Sequence, residues 1–586
     1  MRDIVVLERG LTLRVCDVGE ASGSSCLGNT VRVEPQAAMV AESPPALDHL
    51  DSERDAAPSE DEARRARLHR RIWIGAIAVV ALLVVLRNLI DLSGSPPGMY
   101  VDESSIAYNA WTIAHFGVDE HGIHWPLFFE AFGEYKNPVY VYSVALLARF
   151  LPLTVTVERL PAAFFGLAVV GFLTSAAWRI TASRALTFGT LVLTALTPWV
   201  VIESRVGFET ISWVALLSAA LWCLSRRTPT PRQFGWAGVF LAVSIFGYTT
   251  ARLEVGLIAI AIGLTWGIRR TPGWWRVLVP VAVGYAVLGT YMLLNPGALT
   301  ARFDYLNIWA DGASINVVIS RFITNYFTSI GPNFLFVYGD ANPRQNTQIG
   351  GMLFWVMVPL LVAGIMVCWE RRHEALIRFL VLGIVLAPVA AALTFIESGH
   401  ALRASGMLPF LILLAVLGAD GIRRALATRI GLRRAVTGVL AAGLLAQAAY
   451  FTVDMYTAYP NLAAPFFDTG EIAAITTAHE QADGHHVYLS LTLDQPYIDA
   501  FFALLPPPPT HDETDNATPG LAALGIQILA PRKAESEASP GDMLVLAQTD
   551  PAPSGSWVLV ASERSPANPL NASAPQPVLE TVYRLG

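Results

Sequence analysis

Carboxylates and cations in this chain collect at the breaks between long apolar runs. Asp102 and Glu103 stand together, followed by Asp119 and Glu120, and then by Glu130, Glu134 and Lys136. The turn at 203–209 carries Glu203, Arg205 and Glu209, and the turn at 250–254 carries Arg252 and Glu254. Later breaks hold Arg302, Asp304, Arg321, Asp340 and Arg344, then Glu397, His400 and Arg403. Carboxylates suit a general base or a metal ligand. Lysine and arginine suit phosphate. A site holding both kinds at the edge of a membrane fits a phosphorylated lipid donor and a hydroxyl or amine acceptor. Charge at a membrane boundary is costly unless solvated or paired, which makes these clusters candidate functional groups. The competing reading, strongest for a lone residue such as Glu254, is a snorkelling side chain or a structural pair.

The elements that must position these residues follow from composition. The chain has 586 residues, of which 53% are hydrophobic and 15% charged, whereas a soluble domain carries about 25% charged residues. Apolar runs occupy 72–90, 160–179, 184–203, 209–225, 234–250, 253–268, 276–294, 352–369, 376–395, 404–420 and 434–452, mostly of the length that crosses a bilayer, about 17–25 residues. This predicts an all-α polytopic membrane protein. Lysine and arginine sit in short clusters between the runs, not along one face, so no nucleic-acid partner is indicated. The formal net charge of −7 points to no particular ligand. No cysteine follows Cys368, so the C-terminal region cannot depend on a disulfide.

Basic clusters orient the spans. Arg64, Arg65, Arg67, Arg70 and Arg71 precede the first run and predict a cytoplasmic N-terminus. The clusters Arg179/Arg184, Arg226/Arg227/Arg232, Arg269/Arg270/Arg276, Arg371/Arg372 and Arg423/Arg424/Arg429/Arg433/Arg434 fall on that same side only if the short apolar stretch 138–151 does not cross. It therefore reads as an interfacial or re-entrant segment of an outer loop, 91–158. The expected count is about 11–13 membrane helices, with eleven crossings the simplest solution. A second outer loop spans 295–350. Residues 1–70 read as a cytoplasmic tail, 71–454 as the membrane region, and 455–586 as an outer domain of the α/β type. In that domain a helix is expected over 470–481, and strands at 486–491, 543–546 and 557–560.

Asp102-Glu103 follows Pro96-Pro97-Gly98 and opens an apparent helix. An aspartate there serves equally as an N-cap or as a reactive carboxylate. Asp119-Glu120-His121 reads as a solvated loop, the alternative being a divalent metal held with Asp102. No P-loop or dinucleotide fingerprint is present, which argues against a nucleotide-sugar donor.

Asp102-Glu103 after the first span, the helix with Tyr108, then Glu134-Tyr135-Lys136-Asn137-Pro138 and Glu158-Arg159-Leu160-Pro161 form an ordered set. Ser204-Arg205-Val206-Gly207-Phe208-Glu209, Gly339-Asp340-Ala341-Asn342-Pro343-Arg344 and His400-Ala401-Leu402-Arg403 continue it. Over residues 72–455 the layout resembles family 39 glycosyltransferases, the protein O-mannosyltransferases and bacterial lipid A aminoarabinose transferases, which share the GT-C fold. The resemblance implies a bacterial plasma-membrane enzyme. Its donor would be a polyprenyl-phosphate monosaccharide, its acceptor a protein, lipid or glycan on the outer face, and its displacement single and inverting. It implies Asp102 as base, Glu103 as a holder of acceptor or cation, Glu209 as the second acidic position, and Lys136 as a contact to the lipid phosphate. Arg205, Arg252 and Arg403 are candidate further phosphate contacts. Tyr108, Glu134, Asp340, Arg344 and His400 are candidate substrate contacts. No cofactor is required, and a divalent metal at Asp102 is left open. In the aminoarabinose transferases Glu and Lys are adjacent and two prolines follow. Here Tyr135 intervenes and Asn137 replaces one proline, which argues against that particular sugar. The rival readings are a polymerase or ligase of diphosphate-linked glycans, a non-catalytic relative, and a secondary transporter. The last is opposed by charges at span ends and the lack of an evident internal repeat.

Overall fold

The computed structural model describes residues 60–395, 399–508, 518–571 and 573–586. Cys16, Cys26 and Glu397 lie outside them. The chain divides into two units, 1–71 and 72–586. The stretch expected to be a tail through residue 70 is helical from Glu60, where helix α1 (Glu60–Leu89) begins.

Chain chemistry sets the next elements. Tyr100 takes an extended conformation and precedes α2 (Val101–Phe116). A hairpin follows, β1 (Phe129–Ala131) antiparallel to β2 (Glu134–Lys136). Its two turn residues, Phe132 and Gly133, both have positive φ, 55° and 72°, the type I′ geometry that matches strand twist. Asn137-Pro138 then opens α3 (Pro138–Ala148), proline standing where its missing N–H costs nothing. At 1.5 Å per residue α3 is about 16 Å long, roughly half a hydrocarbon core.

The membrane bundle is α4 (Val155–Thr181), α5 (Arg184–Leu196), α6 (Thr210–Leu224), α7 (Pro231–Ser244), α8 (Ala251–Ile262), α9 (Leu278–Leu294), α11 (Met357–Glu370), α12 (Ala375–Leu386), α13 (Leu408–Ala425) and α14 (Ile430–Tyr456), and the stretch read as a second outer loop carries its own helix, α10 (Ile315–Ile330). Five helices among the described residues are long and apolar enough to cross a membrane: Val155–Thr181, Trp274–Leu294, Ala375–Ala392, Ala401–Ala425 and Ile430–Tyr456. The other apolar runs are helical but shorter or interrupted. Thr197, forced towards extended geometry by Pro198, splits the run 184–203 into α5 and the turn Pro198–Glu203. The apolar part of Ala401–Ala425 is almost wholly buried and central, while that of Ile430–Tyr456 is mostly exposed and lies at the margin of the bundle. Where α11 meets α13, a Cβ on Gly364 or Gly418 would overlap the Leu414 or Leu360 carbonyl. Small residues thus permit the close approach that holds helices together in lipid.

The C-terminal domain is α/β. Its sheet has the order β4-β3-β5-β7-β6, with β3 (Val487–Ser490), β4 (Ile526–Leu529) and β5 (Met543–Ala547) parallel. β7 (Val578–Leu585) pairs antiparallel with β5, and β6 (Trp557–Arg564) pairs antiparallel with β7. Helices α15 (Glu471–Gln481) and α16 (Pro496–Leu504) pack with the sheet and with α2. The expected helix and three strands are present. β4 and β7 carry no strong alternating pattern and escape the sequence reading.

This domain closes over α2. Tyr100, Val101 and Tyr108 share an apolar cluster with Phe467, Ile498 and Phe501. Ser104 Oγ donates to Asp499 Oδ1, and Asp468 accepts from the Val101 backbone N–H. Around that contact Asp468, Glu471, Asp499 and Glu580 crowd together, each with a buried oxygen lacking a hydrogen-bond partner among the described residues. Burial first, then repulsion from neighbouring carboxylates, pushes Asp468 up to about 7, against the pull of Arg344, and Glu580 up to about 8, and holds Glu471 and Asp499 well above the ordinary carboxyl value. The folded state thus binds more protons than the unfolded chain, whose carboxyls titrate near 4. The stabilising contribution is complete below that pH and is lost as pH rises through 7 and 8. Thermal unfolding in detergent should therefore show a midpoint that falls between pH 6 and pH 9, with a shallower fall for the Glu471→Gln/Asp499→Asn variant. A flat wild-type profile would mean these carboxyls stay charged in the fold.

Candidate functional site

The first turn of α2 sends two neighbouring carboxylates to different places, because successive helical residues diverge by about 100°. Glu103 turns inward and is fully buried. Its Oε1 and Oε2 accept from Arg159 Nε and Nη2, both at 2.8 Å, and Oε1 also accepts from the Gly207 N–H at 2.6 Å. The remaining Arg159 N–H groups donate to the carbonyls of Leu92, Pro96 and Gly98. Asp102 is not the N-cap, since Tyr100 holds that position. Its carboxylate, 18% exposed, meets Lys136 Nζ across the hairpin.

Lys136 ends β2. Its ammonium also donates to Glu134 Oε1 at 2.5 Å and lies 5.5 Å from the Phe132 ring centre. Burial pulls its pKa down, but Asp102, Glu134 and Glu209 outweigh burial and hold it above the ordinary lysine value. The side chain therefore stays a cation. Behind it, Asn137 gives its backbone N–H to Glu209 Oε1 and its Nδ2–H to Glu209 Oε2 at 2.9 Å. Arg252 Nη2 donates to Asn137 Oδ1 at 2.7 Å, and its guanidinium sits 5.1 Å from the Phe128 ring centre. Arg252 Nε is buried without a hydrogen-bond partner among the described residues. Asp102, Glu134, Lys136, Glu209 and Arg252 thus converge from α2, the hairpin and the starts of α6 and α8. Arg344 borders them: its guanidinium covers the Tyr100 ring at 4.5 Å and its Nε donates to the Phe466 carbonyl.

Other expected residues are engaged elsewhere. Glu103 is a brace rather than a holder of acceptor, its oxygens being taken by Arg159 and Gly207. Arg205 corrects in the same way: four of its N–H groups donate to the carbonyls of Arg87, Ile90, Asp91 and Ser95, so it braces the segment between α1 and α2. Tyr108 is fully buried, and its hydroxyl donates to the Pro506 carbonyl at 2.9 Å, so it fastens α2 to the C-terminal domain instead of facing substrate. Asp340 and His400 form a second group. Asp340 Oδ2 accepts from the Ala401 N–H at 2.7 Å and lies 3.8 Å from His400 Nδ1. Arg403 Nη1 donates to Thr394 Oγ1 at 3.2 Å. Asp119-Glu120-His121 is not a solvated loop. Asp119 Oδ1 accepts from the N–H groups of His121 and Ile123, and Glu120 is clasped by Asn109 through paired 2.9 Å bonds. Burial pushes Glu120 up to about 7. Among the described residues no three His, Cys, Asp or Glu side chains are grouped to hold a metal, and an ammonium faces Asp102. Asn137 and Arg159 are the residues sequence reasoning missed. A lone arginine at the start of an apolar run, and a polar residue in place of a proline, were the signals present.

Chemically, the cluster offers a partly exposed carboxylate beside a fixed ammonium and a guanidinium with a spare N–H. That combination can take a proton and neutralise a phosphate.

No family model and no curated protein sequence matches the chain. Solved structures do. The structure of ArnT from Cupriavidus metallidurans bound to undecaprenyl phosphate aligns with 87% of this chain and 97% of its own, at TM-score 0.50 and 14% identity. ArnT in the apo state aligns with 88% and 98%, at TM-score 0.50 and 14% identity. The archaeal oligosaccharyltransferase AglB from Archaeoglobus fulgidus, in complex with an inhibitory peptide and a dolichol-phosphate, aligns with 82% and 70%, at TM-score 0.45 and 12% identity. The likeness to ArnT is one of fold: this chain is a multi-pass membrane protein with the GT-C fold and a small C-terminal sheet domain.

Bracing and site residues should separate experimentally. Arg159→Met leaves a buried carboxylate and three carbonyls unpaired and should cost about 3–5 kcal/mol. Asp102→Asn leaves Lys136 still paired with Glu134 and should stay within about 1 kcal/mol. Unfolding in mixed detergent micelles measures both, and a harmless Arg159→Met would refute the bracing role.

Proposed function

We propose that this protein is a membrane glycosyltransferase that moves a monosaccharide from a polyprenyl-phosphate donor to a protein, lipid or glycan acceptor on the outer face of the membrane. The observation that carries the reading is the buried, permanently charged Lys136 held between Asp102 and Glu134, with Arg252 one residue behind it. The GT-C fold and the order of the site residues, which resembles family 39 enzymes, support it. So does the ArnT structure bound to undecaprenyl phosphate.

In this mechanism the donor phosphate replaces Asp102 as a partner of Lys136 and engages the spare Arg252 N–H. An acceptor hydroxyl or amine attacks the anomeric carbon with its lone pair. The bond from that carbon to the phosphate oxygen breaks, and its electron pair leaves with polyprenyl phosphate. Lys136 and Arg252 offset the charge gathering on that oxygen. The acceptor proton passes to the Asp102 carboxylate as the phosphate takes its place on the ammonium. One displacement inverts the anomeric centre. Glu209 acts by holding the Lys136–Asn137 segment, and Arg344 with Tyr100 borders the acceptor side.

Two measurements test the reading. Transfer from a panel of labelled polyprenyl-phosphate sugars into membrane extracts should fall on the order of a hundredfold or more in Asp102→Asn at unchanged protein level. Full activity in that variant would move the base elsewhere. No transfer from any monophosphate donor would favour a polymerase of diphosphate-linked glycans or a non-catalytic relative. For sidedness, cysteine placed at exposed Ser556 of the C-terminal domain should react with a membrane-impermeant maleimide in intact cells. Cysteine at exposed Thr228 should not, with Cys16 and Cys26 changed to serine. The reverse pattern would invert the proposed orientation.

A further inference from the structure

Asn137 stands where the aminoarabinose transferases carry a proline, and it is 1% exposed. Its carboxamide joins two opposite charges that come from different helices. The Nδ2–H group donates to Glu209 Oε2 and the Oδ1 atom accepts from Arg252 Nη2. Its backbone N–H donates to the other Glu209 oxygen. A short neutral amide can donate to a carboxylate and accept from a guanidinium at one buried point without adding charge. A proline here could do neither, and an aliphatic side chain would leave both partners short.

The consequence concerns Arg252. Were Glu209 and Arg252 in direct contact, the guanidinium fork would close on the carboxylate in the usual paired geometry. The amide stands between them and takes only one Nη2–H. An Nη1–H goes to the Leu299 carbonyl at 3.4 Å. The Nε–H is left buried and without a partner among the described residues. A buried cationic donor without an acceptor is unfavourable unless an anion completes it. On the other side of the same residue, Lys136 is fixed by the main chain that Glu209 grips. Asn137 therefore occupies both Glu209 oxygens, holds the strand end that carries Lys136, and engages Arg252 through a single N–H.

We infer that Asn137 is a positioning residue for the lipid phosphate, spacing Lys136 and Arg252 so that the pair receives the phosphate of a polyprenyl monophosphate. This rests on the donor reading given under Proposed function. The match is one of charge as well as place, because a phosphodiester donor carries one negative charge and the departing phosphomonoester carries up to two.

The test is binding of undecaprenyl phosphate to the full-length protein in nanodiscs, followed by intrinsic tryptophan fluorescence, for wild type, Asn137→Ser, Asn137→Leu and Asn137→Asp. Asn137→Leu should weaken binding about tenfold or more, and Asn137→Ser by less. Asn137→Asp should bind poorly near pH 8, where its carboxylate repels Glu209 and closes on Arg252. Its affinity relative to wild type should recover as pH falls and the new carboxyl takes a proton, since a neutral carboxyl can again donate to Glu209 and accept from Arg252. Taking the ratio to wild type at each pH removes the titration of the phosphate itself, and a residue needed only for folding would not give a pH-dependent ratio. Wild-type affinity in a folded Asn137→Leu, or an Asn137→Asp ratio constant across pH, would overturn the inference. Should Asn137→Leu fail to fold, Asn137→Ser and the pH arm decide it. Failure of the wild type itself to bind undecaprenyl phosphate would instead bring down the donor reading, and this inference with it.

Discussion

The buried pair between Arg159 and Glu103 is the contact on which the site depends. The segment 91–98 between α1 and α2 has little regular structure, so its carbonyls lack helical or strand partners, and a buried backbone group without one is costly. Two arginines supply the donors. Arg159 takes Leu92, Pro96 and Gly98. Arg205 takes Arg87, Ile90, Asp91 and Ser95. Arg159 then uses its remaining edge to hold Glu103 in two parallel bonds, and the Gly207 N–H closes the arrangement from the turn before α6. A buried ion pair adds little net stability compared with an apolar replacement, but it is unforgiving of position. The first turn of α2 is thereby fixed against both the loop before it and two helices of the bundle.

Once Glu103 is fixed inward, helical geometry leaves Asp102 only one direction, towards the hairpin. The hairpin in turn is narrow, set by a two-residue turn with positive φ at Phe132 and Gly133, and it delivers Lys136 at its end. Asn137 then ties the strand end to Glu209 and Arg252. The two halves of the site thus reach each other from separate anchors, and the Lys136–Asp102 contact is where they meet. The C-terminal domain completes the support from the opposite side through Tyr108, Ser104 and Asp468. Its buried carboxyls Asp468, Glu471, Asp499 and Glu580 crowd around that contact.

Much of this was open to reading from residue order. Long apolar runs have few ways to exist other than as membrane helices, and prolines at 138 and 198 mark helix starts because the ring fixes φ and removes a donor. Val487–Ser490 and Met543–Ala547 read as strands because short apolar runs bounded by Gly, Pro and Asp have few alternatives. Asp102 and Lys136 stood out as charges in a stretch where charge needs a reason. β4 and β7 did not stand out, because their side chains mix burial and exposure without strict alternation.

What the residue order could not decide was the role of each charge. Glu103 and Asp102 are neighbours of nearly the same chemistry, and Arg205 and Arg252 have the same side chain at similar breaks between spans. The first of each pair is a brace and the second faces the site. Their partners lie far away in the chain: Arg159 is 56 residues from Glu103, and Ser95 is 110 residues from Arg205. The sequence by itself determined the membrane class, the helical runs, the α/β character of the last domain and the pool of charged candidates, because those follow from local polarity and backbone preference. The tertiary structure alone decided which candidates were already neutralised, because an arginine is available to a ligand only if no carbonyl or carboxylate has reached it first, and that depends on how distant segments pack.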